Sequence, residues 1–75
     1  MTHDDNLIRM ANQIGIFFES MPDRQEALEG IATHLKKFWD PRMRTAFLTQ
    51  VDGVQQQEIS AIVRAAVQAH RALIG

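Results

Sequence analysis

The chain has 75 residues, which leaves room for one domain with a thin hydrophobic core. It has no cysteine, which excludes disulfides, thiolate metal sites, iron–sulfur ligation and cysteine nucleophiles. Eight basic and nine acidic residues give a formal net charge of −1, which argues against nucleic acid as a partner. The first five residues are acidic where a secretory signal is basic, and no apolar run approaches the roughly 20 residues that span a bilayer. We therefore expect a single soluble domain over residues 1–75 in the cytoplasm, with no membrane partner.

The first predicted helix runs from Asn6 to Met21. Asp4 or Asp5 can cap its start, and Pro22 ends it because proline disfavours helical geometry in the preceding residue. One apolar face follows steps of three and four, and its members are Leu7, Ala11, Ile14, Phe18 and Met21. Further apolar residues widen this face, namely Ile8, Met10, Ile16 and Phe17. A face this wide predicts more than one neighbour and an exposed patch of the kind that marks a binding site.

The second predicted helix begins after Asp23, which forms an aspartate variant of the capping box with Glu26. Its apolar face consists of Ala27 or Leu28, Ile31, Leu35, and Phe38 or Trp39. The connection to the first helix is short, and this predicts an antiparallel helical hairpin.

Asp40-Pro41 predicts a third helix over about 41–50, because aspartate is a strong N-cap and proline is suited to the first helical position. Asp52-Gly53 predicts a turn in which the glycine takes a positive φ. A fourth helix is then expected from about Gln55 to Ala72. Its apolar stripe is Ile59, Ile62, Val63, Ala66, His70 and Leu73.

These elements predict an all-α fold, a small helical bundle of three to four helices built on the antiparallel hairpin. The alternative is a hairpin with a separate C-terminal arm that packs on a partner. Gly15 and Gly30 lie inside the predicted helices, where each costs about 1 kcal/mol relative to alanine. They indicate either close approach by another helix or a tolerated defect.

No motif in the chain predicts catalysis, metal binding or cofactor binding. The histidines, His3, His34 and His70, match no metal-binding spacing. Ser20 and Ser60 lie in no nucleophile motif, and the glycines are too dispersed for a phosphate-binding loop.

The segment 34–44 is locally basic, whereas residues 19–29 are locally acidic. It mixes aromatic, methionine and arginine side chains, which are enriched at the centres of protein interfaces. We expect Phe38 to belong to the core. For Trp39, Arg42 and Arg44, an interface role and an ordinary core or surface role are both open.

Several strings resemble the delta subunit of NAD-dependent formate dehydrogenase over about residues 6–48. The two most specific are Arg9-Met10-Ala11-Asn12 and Phe38-Trp39-Asp40-Pro41-Arg42-Met43-Arg44, which occur in the same order and at similar separation. The others are Asn6-Leu7-Ile8, Gln13-Ile14-Gly15, Phe17-Phe18, Pro22-Asp23-Arg24, Gly30-Ile31-Ala32 and His34-Leu35. From Thr49 onward the chain shows no distinctive string, so residues 49–75 are interpreted from periodicity alone as a C-terminal helix.

The resemblance implies a small accessory subunit of a soluble formate dehydrogenase complex that contains molybdenum or tungsten. Its partner subunits would carry the pterin-bound metal, the iron–sulfur clusters and the flavin. This chain would be non-catalytic and free of cofactors. Its composition agrees, because it lacks the cysteines and phosphate-binding loops that those groups require.

The leading hypothesis is a structural subunit that stabilises the complex by binding its catalytic subunit. The alternative is a maturation chaperone that assists insertion or retention of the pterin cofactor, and a nucleic-acid-binding module is a weaker third. The isolated chain can also form a homo-oligomer when the partner is missing, because leftover apolar surface can pair with itself. The predicted partner-binding residues are Arg9, Met10, Asn12, Gln13, Phe17, Arg24, His34, Trp39, Arg42, Met43 and Arg44.

Overall fold

The computed structural model describes the backbone of residues 3–75 and the side chains of residues 6–75. Within these residues there is no strand, and the predicted all-α fold is confirmed. The elements in chain order are α1 (His3–Glu19), α2 (Arg24–Phe38), α3 (Pro41–Val51), a 3₁₀ helix (Val54–Glu58) and α4 (Ala61–Ile74). None of the described helices has the length and apolar character needed to cross a membrane.

Two of the predicted helix starts are confirmed by their caps. The Asp23 carboxylate accepts hydrogen bonds from the backbone N–H groups of Gln25 and Glu26, at 2.9 and 3.2 Å. The Asp40 carboxylate accepts one from the Met43 N–H at 2.9 Å, and Pro41 is the first residue of α3. Each carboxylate satisfies N–H groups that have no partner within the helix.

The predicted cap of α1 is wrong in position. This helix already begins at His3, so Asp4 and Asp5 lie inside it rather than before it. Their side chains, like that of His3, lie outside the described residues.

The start of the fourth helix also differs from the prediction. A 3₁₀ helix occupies Val54–Glu58, and α4 begins only at Ala61, not at Gln55. Gly53 has φ −101°, so the predicted turn at Asp52-Gly53 forms without a positive φ. Asn12 of α1 holds this connection in place: its Nδ2 donates to the Glu58 carbonyl at 3.0 Å, and its Oδ1 accepts from the Ser60 N–H at 2.9 Å.

The end of α4 carries one irregularity. His70 has φ −132° and ψ 32°, outside helical geometry, and marks a kink. Beyond it Ile74 is fully buried, whereas Leu73 of the predicted stripe is 40% exposed.

The core lies between α2 and α4, which form the most extensive helix pair, and α1 packs against α2, α3 and α4. The α1–α2 hairpin is therefore present but is not the main contact. The bundle is confirmed, and α4 does not form the separate arm of the alternative. The buried apolar residues are Leu7, Ile8, Ala11, Ala27, Ile31, Ala32, Leu35, Trp39, Phe47, Ile59, Ile62, Val63, Ala66, Val67 and Ile74.

The two helical glycines mark close approaches. A Cβ atom on Gly15 would lie 2.7 Å from Cγ2 of Val63 in α4, and one on Gly30 would lie 2.5 Å from the Phe18 ring. Contacts this short do not occur between real side chains, so each glycine makes room for its neighbour. Close approach, rather than a tolerated defect, accounts for both positions.

Candidate functional site

An apolar groove of about 480 Å³ lies between α1 and the C-terminal half of α2. The residues that line it are Met10, Gln13, Ile14, Phe17, Phe18, His34 and Trp39. The apolar face of α1 is wider than its packing partners cover, which is why part of it remains open. Phe17 is 71% exposed and Met10 is 38% exposed. The exposed patch predicted from the width of this face is thus present.

Four rings form a continuous row across this surface, which we call the aromatic row: Phe17, Phe18, His34 and Phe38. Their successive centroids are 5.1, 6.5 and 4.8 Å apart, within the usual range for interacting aromatic pairs. The two end members, Phe17 and Phe38, are each 71% exposed. Large apolar rings that remain mostly exposed to water are suited to binding an apolar partner surface.

The assignment of Phe38 to the core was wrong, and the neighbouring Trp39 takes that place. The helical geometry of α2 ends at Phe38, and Trp39 has extended backbone angles of φ −94° and ψ 138°. This turn of the chain carries the indole against Phe47 at a centroid distance of 5.5 Å, leaving Trp39 5% exposed. Trp39 therefore forms the floor of the groove, while Phe38 stands on the surface.

A second, shallower depression of about 380 Å³ adjoins the groove along α2. Phe18 and His34 line both. Its α2 residues, which we call the α2 face, are Glu26, Glu29, Gly30, Thr33, His34, Lys37 and Phe38. Acidic residues lie toward the N-terminus of this face and a basic residue lies toward its C-terminus, each at the end where the helix dipole favours it.

Five of the eleven predicted partner-binding residues line the groove, namely Met10, Gln13, Phe17, His34 and Trp39. Arg9 and Asn12 instead border a separate depression that Gln13 and Ile16 also line. Both polar atoms of the Asn12 side-chain amide bond within the chain, to Glu58 and Ser60. Asn12 is thus placed to position the chain rather than to offer free hydrogen-bonding groups.

The remaining predicted residues lie outside the groove lining. Arg24 and Arg42 are exposed, and Arg42 borders a depression with Pro41. Met43 is half-buried against the core. Arg44 is half-buried, and its Nε and Nη1 atoms have no acceptor among the described residues.

The clearest ion pair of the described chain lies between the end of α3 and α4. Arg71 donates to both carboxylate oxygens of Asp52, at 3.0 and 2.6 Å. This hydrogen bonding holds the pKa of Asp52 below its ordinary value. Elsewhere in the described residues, no three His, Asp or Glu side chains group closely enough to hold a metal ion.

Sequence reasoning did not assign Phe18 and Phe38 to this surface, because it placed Phe18 on the main apolar face of the first helix and Phe38 in the core. A signal was present, since adjacent residues on a helix point about 100° apart and neighbouring aromatics cannot all face inward. The sequence also holds a signal for the α2 face. Glu26 and Lys37 lie three helical turns apart and therefore on one face of the helix.

A comparison with protein families finds a match. The family model described as the NADH-dependent formate dehydrogenase delta subunit, FdsD, matches residues 6–67. The matched range continues beyond residue 48, where the recognisable strings end, through the 3₁₀ helix and into α4. No curated protein and no solved structure matches the chain.

Proposed function

The chain belongs to the family of NADH-dependent formate dehydrogenase delta subunits, and we propose that it is a non-catalytic accessory subunit of such a complex. In this proposal it binds the catalytic subunit in the cytoplasm and stabilises or assembles the quaternary structure. The pterin-bound molybdenum or tungsten, the iron–sulfur clusters and the flavin belong to the partner subunits.

The groove between α1 and α2 is the proposed contact, and the exposure of Phe17 is the observation that supports it most. An aromatic ring that is 71% exposed beside an apolar groove gains more from a partner than from its own chain. Interfaces draw most of their binding energy from a few such anchors near the centre of the contact. The groove has the concave, mainly apolar form that an apolar side chain of a partner would fill.

The arginines serve a different purpose in this proposal. Arg9, Arg24 and Arg42 are exposed and lie outside the groove, so they steer and orient an acidic surface of the partner. Arg44 is half-buried, and its Nε and Nη1 atoms, which have no acceptor among the described residues, are enclosed by this chain, so no partner contact is assigned to them.

Phe17→Ser tests the groove, with Ile16→Ser as the matched control. The two neighbours are similarly exposed, at 71% and 67%, but Ile16 borders the depression on the other side of α1. Each variant is titrated against the purified catalytic subunit lacking its delta subunit, and circular dichroism confirms the fold. We expect Phe17→Ser to raise the dissociation constant about tenfold or more, as the loss of an interface anchor does, and Ile16→Ser to leave it nearly unchanged.

Equal affinity of the wild type and Phe17→Ser would remove the groove from the contact. Absence of any complex between the wild type and the catalytic subunit would contradict the structural role itself.

The alternative role, assistance with insertion or retention of the pterin cofactor, has less structural support. It requires basic residues that converge on phosphate groups. Lys37 and Arg42 instead border different depressions, and Arg44 is half-buried. Comparing the molybdenum or tungsten content of the catalytic subunit produced with and without this chain decides the matter, because equal loading would eliminate the chaperone role.

A further inference from the structure

We propose that the free chain forms a symmetric homodimer in which the α2 faces of two copies pack antiparallel. This goes beyond the proposed function, since it concerns the chain before it meets any other subunit. The observation behind it is the order of charges on the α2 face. Glu26 and Glu29 lie toward one end, Lys37 lies toward the other, and all three are exposed beside the same shallow depression.

The spacing of the residues makes this face complementary to itself. In a two-fold interface, residue i of one copy meets residue j of the other, and residue j meets residue i. With the axis between residues 31 and 32, Glu26 of one copy meets Lys37 of the other and Gly30 meets Thr33, and each contact occurs twice. Glu29 adds to the acidic end of the face.

Apolar surface accompanies these charges. Phe18 and Phe38 border the same depression, and Phe38 is 71% exposed. Exposed ion pairs alone contribute little to association, so the rings supply the anchor and the charges set the antiparallel register. A second copy thus offers both components of the interface at once.

The charge order also selects the second copy over other occupants. A partner of uniform charge would match one end of the face and be repelled by the other. The occupant must present both signs in the reverse order beside an apolar centre. The antiparallel α2 helix of another copy meets this requirement.

Charge reversal tests the pairing. Dissociation constants are measured by sedimentation over a series of concentrations for the wild type, Glu26→Lys, Lys37→Glu and the double variant. We expect each single reversal to raise the dissociation constant about tenfold, because it places like charges opposite each other. The double variant restores the wild-type value, since the pair is re-formed with its signs exchanged.

Lys36→Glu is the matched control, because it changes the net charge by the same amount as Lys37→Glu. Lys36 is exposed, as Lys37 is, but lies outside the lining of the depression. It should leave the dissociation constant within about twofold of the wild type. Circular dichroism on every variant verifies that the helices are intact.

Three results would overturn the homodimer: a wild type that stays monomeric throughout, a double variant as weak as the singles, or a Lys36→Glu variant as weak as Lys37→Glu. Binding of the catalytic subunit is measured on the same variants. Retained binding together with a monomeric wild type would refute the homodimer and leave the proposed function standing.

Discussion

Gly15 and Gly30 show how the surroundings of a single residue decide the effect of adding one methyl group. Alanine in a helix is favoured over glycine by about 1 kcal/mol, whereas overpacking a filled site costs about 1–3 kcal/mol. Gly15 faces a methyl group of Val63, a stiff β-branched residue that is fully buried. Gly30 faces the ring of Phe18, which borders open grooves on two sides.

We therefore expect Gly15→Ala to lower the free energy of unfolding by about 1–2 kcal/mol, because Val63 cannot move aside. Gly30→Ala should change it by less than about 1 kcal/mol, because the Phe18 ring can shift toward the groove while the helix gains propensity. Urea denaturation of both variants measures the difference. Stabilisation by Gly15→Ala would show that α4 is not packed as closely as described.

The same dependence on surroundings explains which residues of the site could be predicted. The exposure of Met10 and Phe17 on α1 follows from an apolar helix face that is wider than its neighbours can cover. The exchange of roles between Phe38 and Trp39 does not follow from periodicity. It results from the extended conformation of one residue after α2, which reorients the indole toward Phe47.

Among the secondary-structure elements, the prediction succeeded where the signals are local. Asp23 and Asp40 act within three residues of themselves, and the starts of α2 and α3 follow from them. The connection before α4 is different, because its hydrogen bonds come from Asn12, 46 and 48 residues away along the chain. Helical periodicity over this segment could not reveal a partner that lies on another helix.

Asn12→Ala should lower the free energy of unfolding by about 2 kcal/mol, since it removes two hydrogen bonds of about 1 kcal/mol each. Gln13→Ala is the control, because Gln13 is exposed and adjacent. Chemical denaturation gives the stability, and hydrogen exchange at the Ser60 amide reports the local loss. An unchanged exchange rate at Ser60 would contradict the bridge between α1 and the connection.

For the molecule as a whole, stability rests on a small core with no covalent cross-link, so single contacts between distant segments carry weight. The pair of Asp52 and Arg71 joins the end of α3 to α4. Because the pair lowers the pKa of Asp52 in the folded state, its contribution is present above the ordinary carboxyl pKa. It is lost as the pH falls through the lowered value.

Asp52→Asn should therefore reduce the thermal midpoint at neutral pH, by a modest amount because both side chains are exposed. The difference from the wild type should shrink on acidification and vanish once Asp52 of the wild type is protonated. Thermal melts across this range of pH measure it. A difference that stays constant with pH would mean that the variant acts through something other than the ion pair.

At this scale the sequence indicated the fold class and an exposed apolar surface on α1, but not which helix pair would dominate. Periodicity shows that α2 and α4 each have an apolar face, yet it does not show that these two faces meet. Because α2 packs mainly against α4, another side of α2 remains exposed to solvent. This side carries the α2 face and borders the groove.

The dominance of the α2–α4 pair also has a consequence for synthesis on the ribosome. α2 is synthesised before α4, which follows the other described helices in chain order. During that interval Ile31 and Leu35 of α2, which are fully buried in the finished protein, are without α4, the helix against which α2 packs most extensively. The nascent chain must therefore wait for its last helix before it can close its core, and until then its apolar surface is open to chaperones.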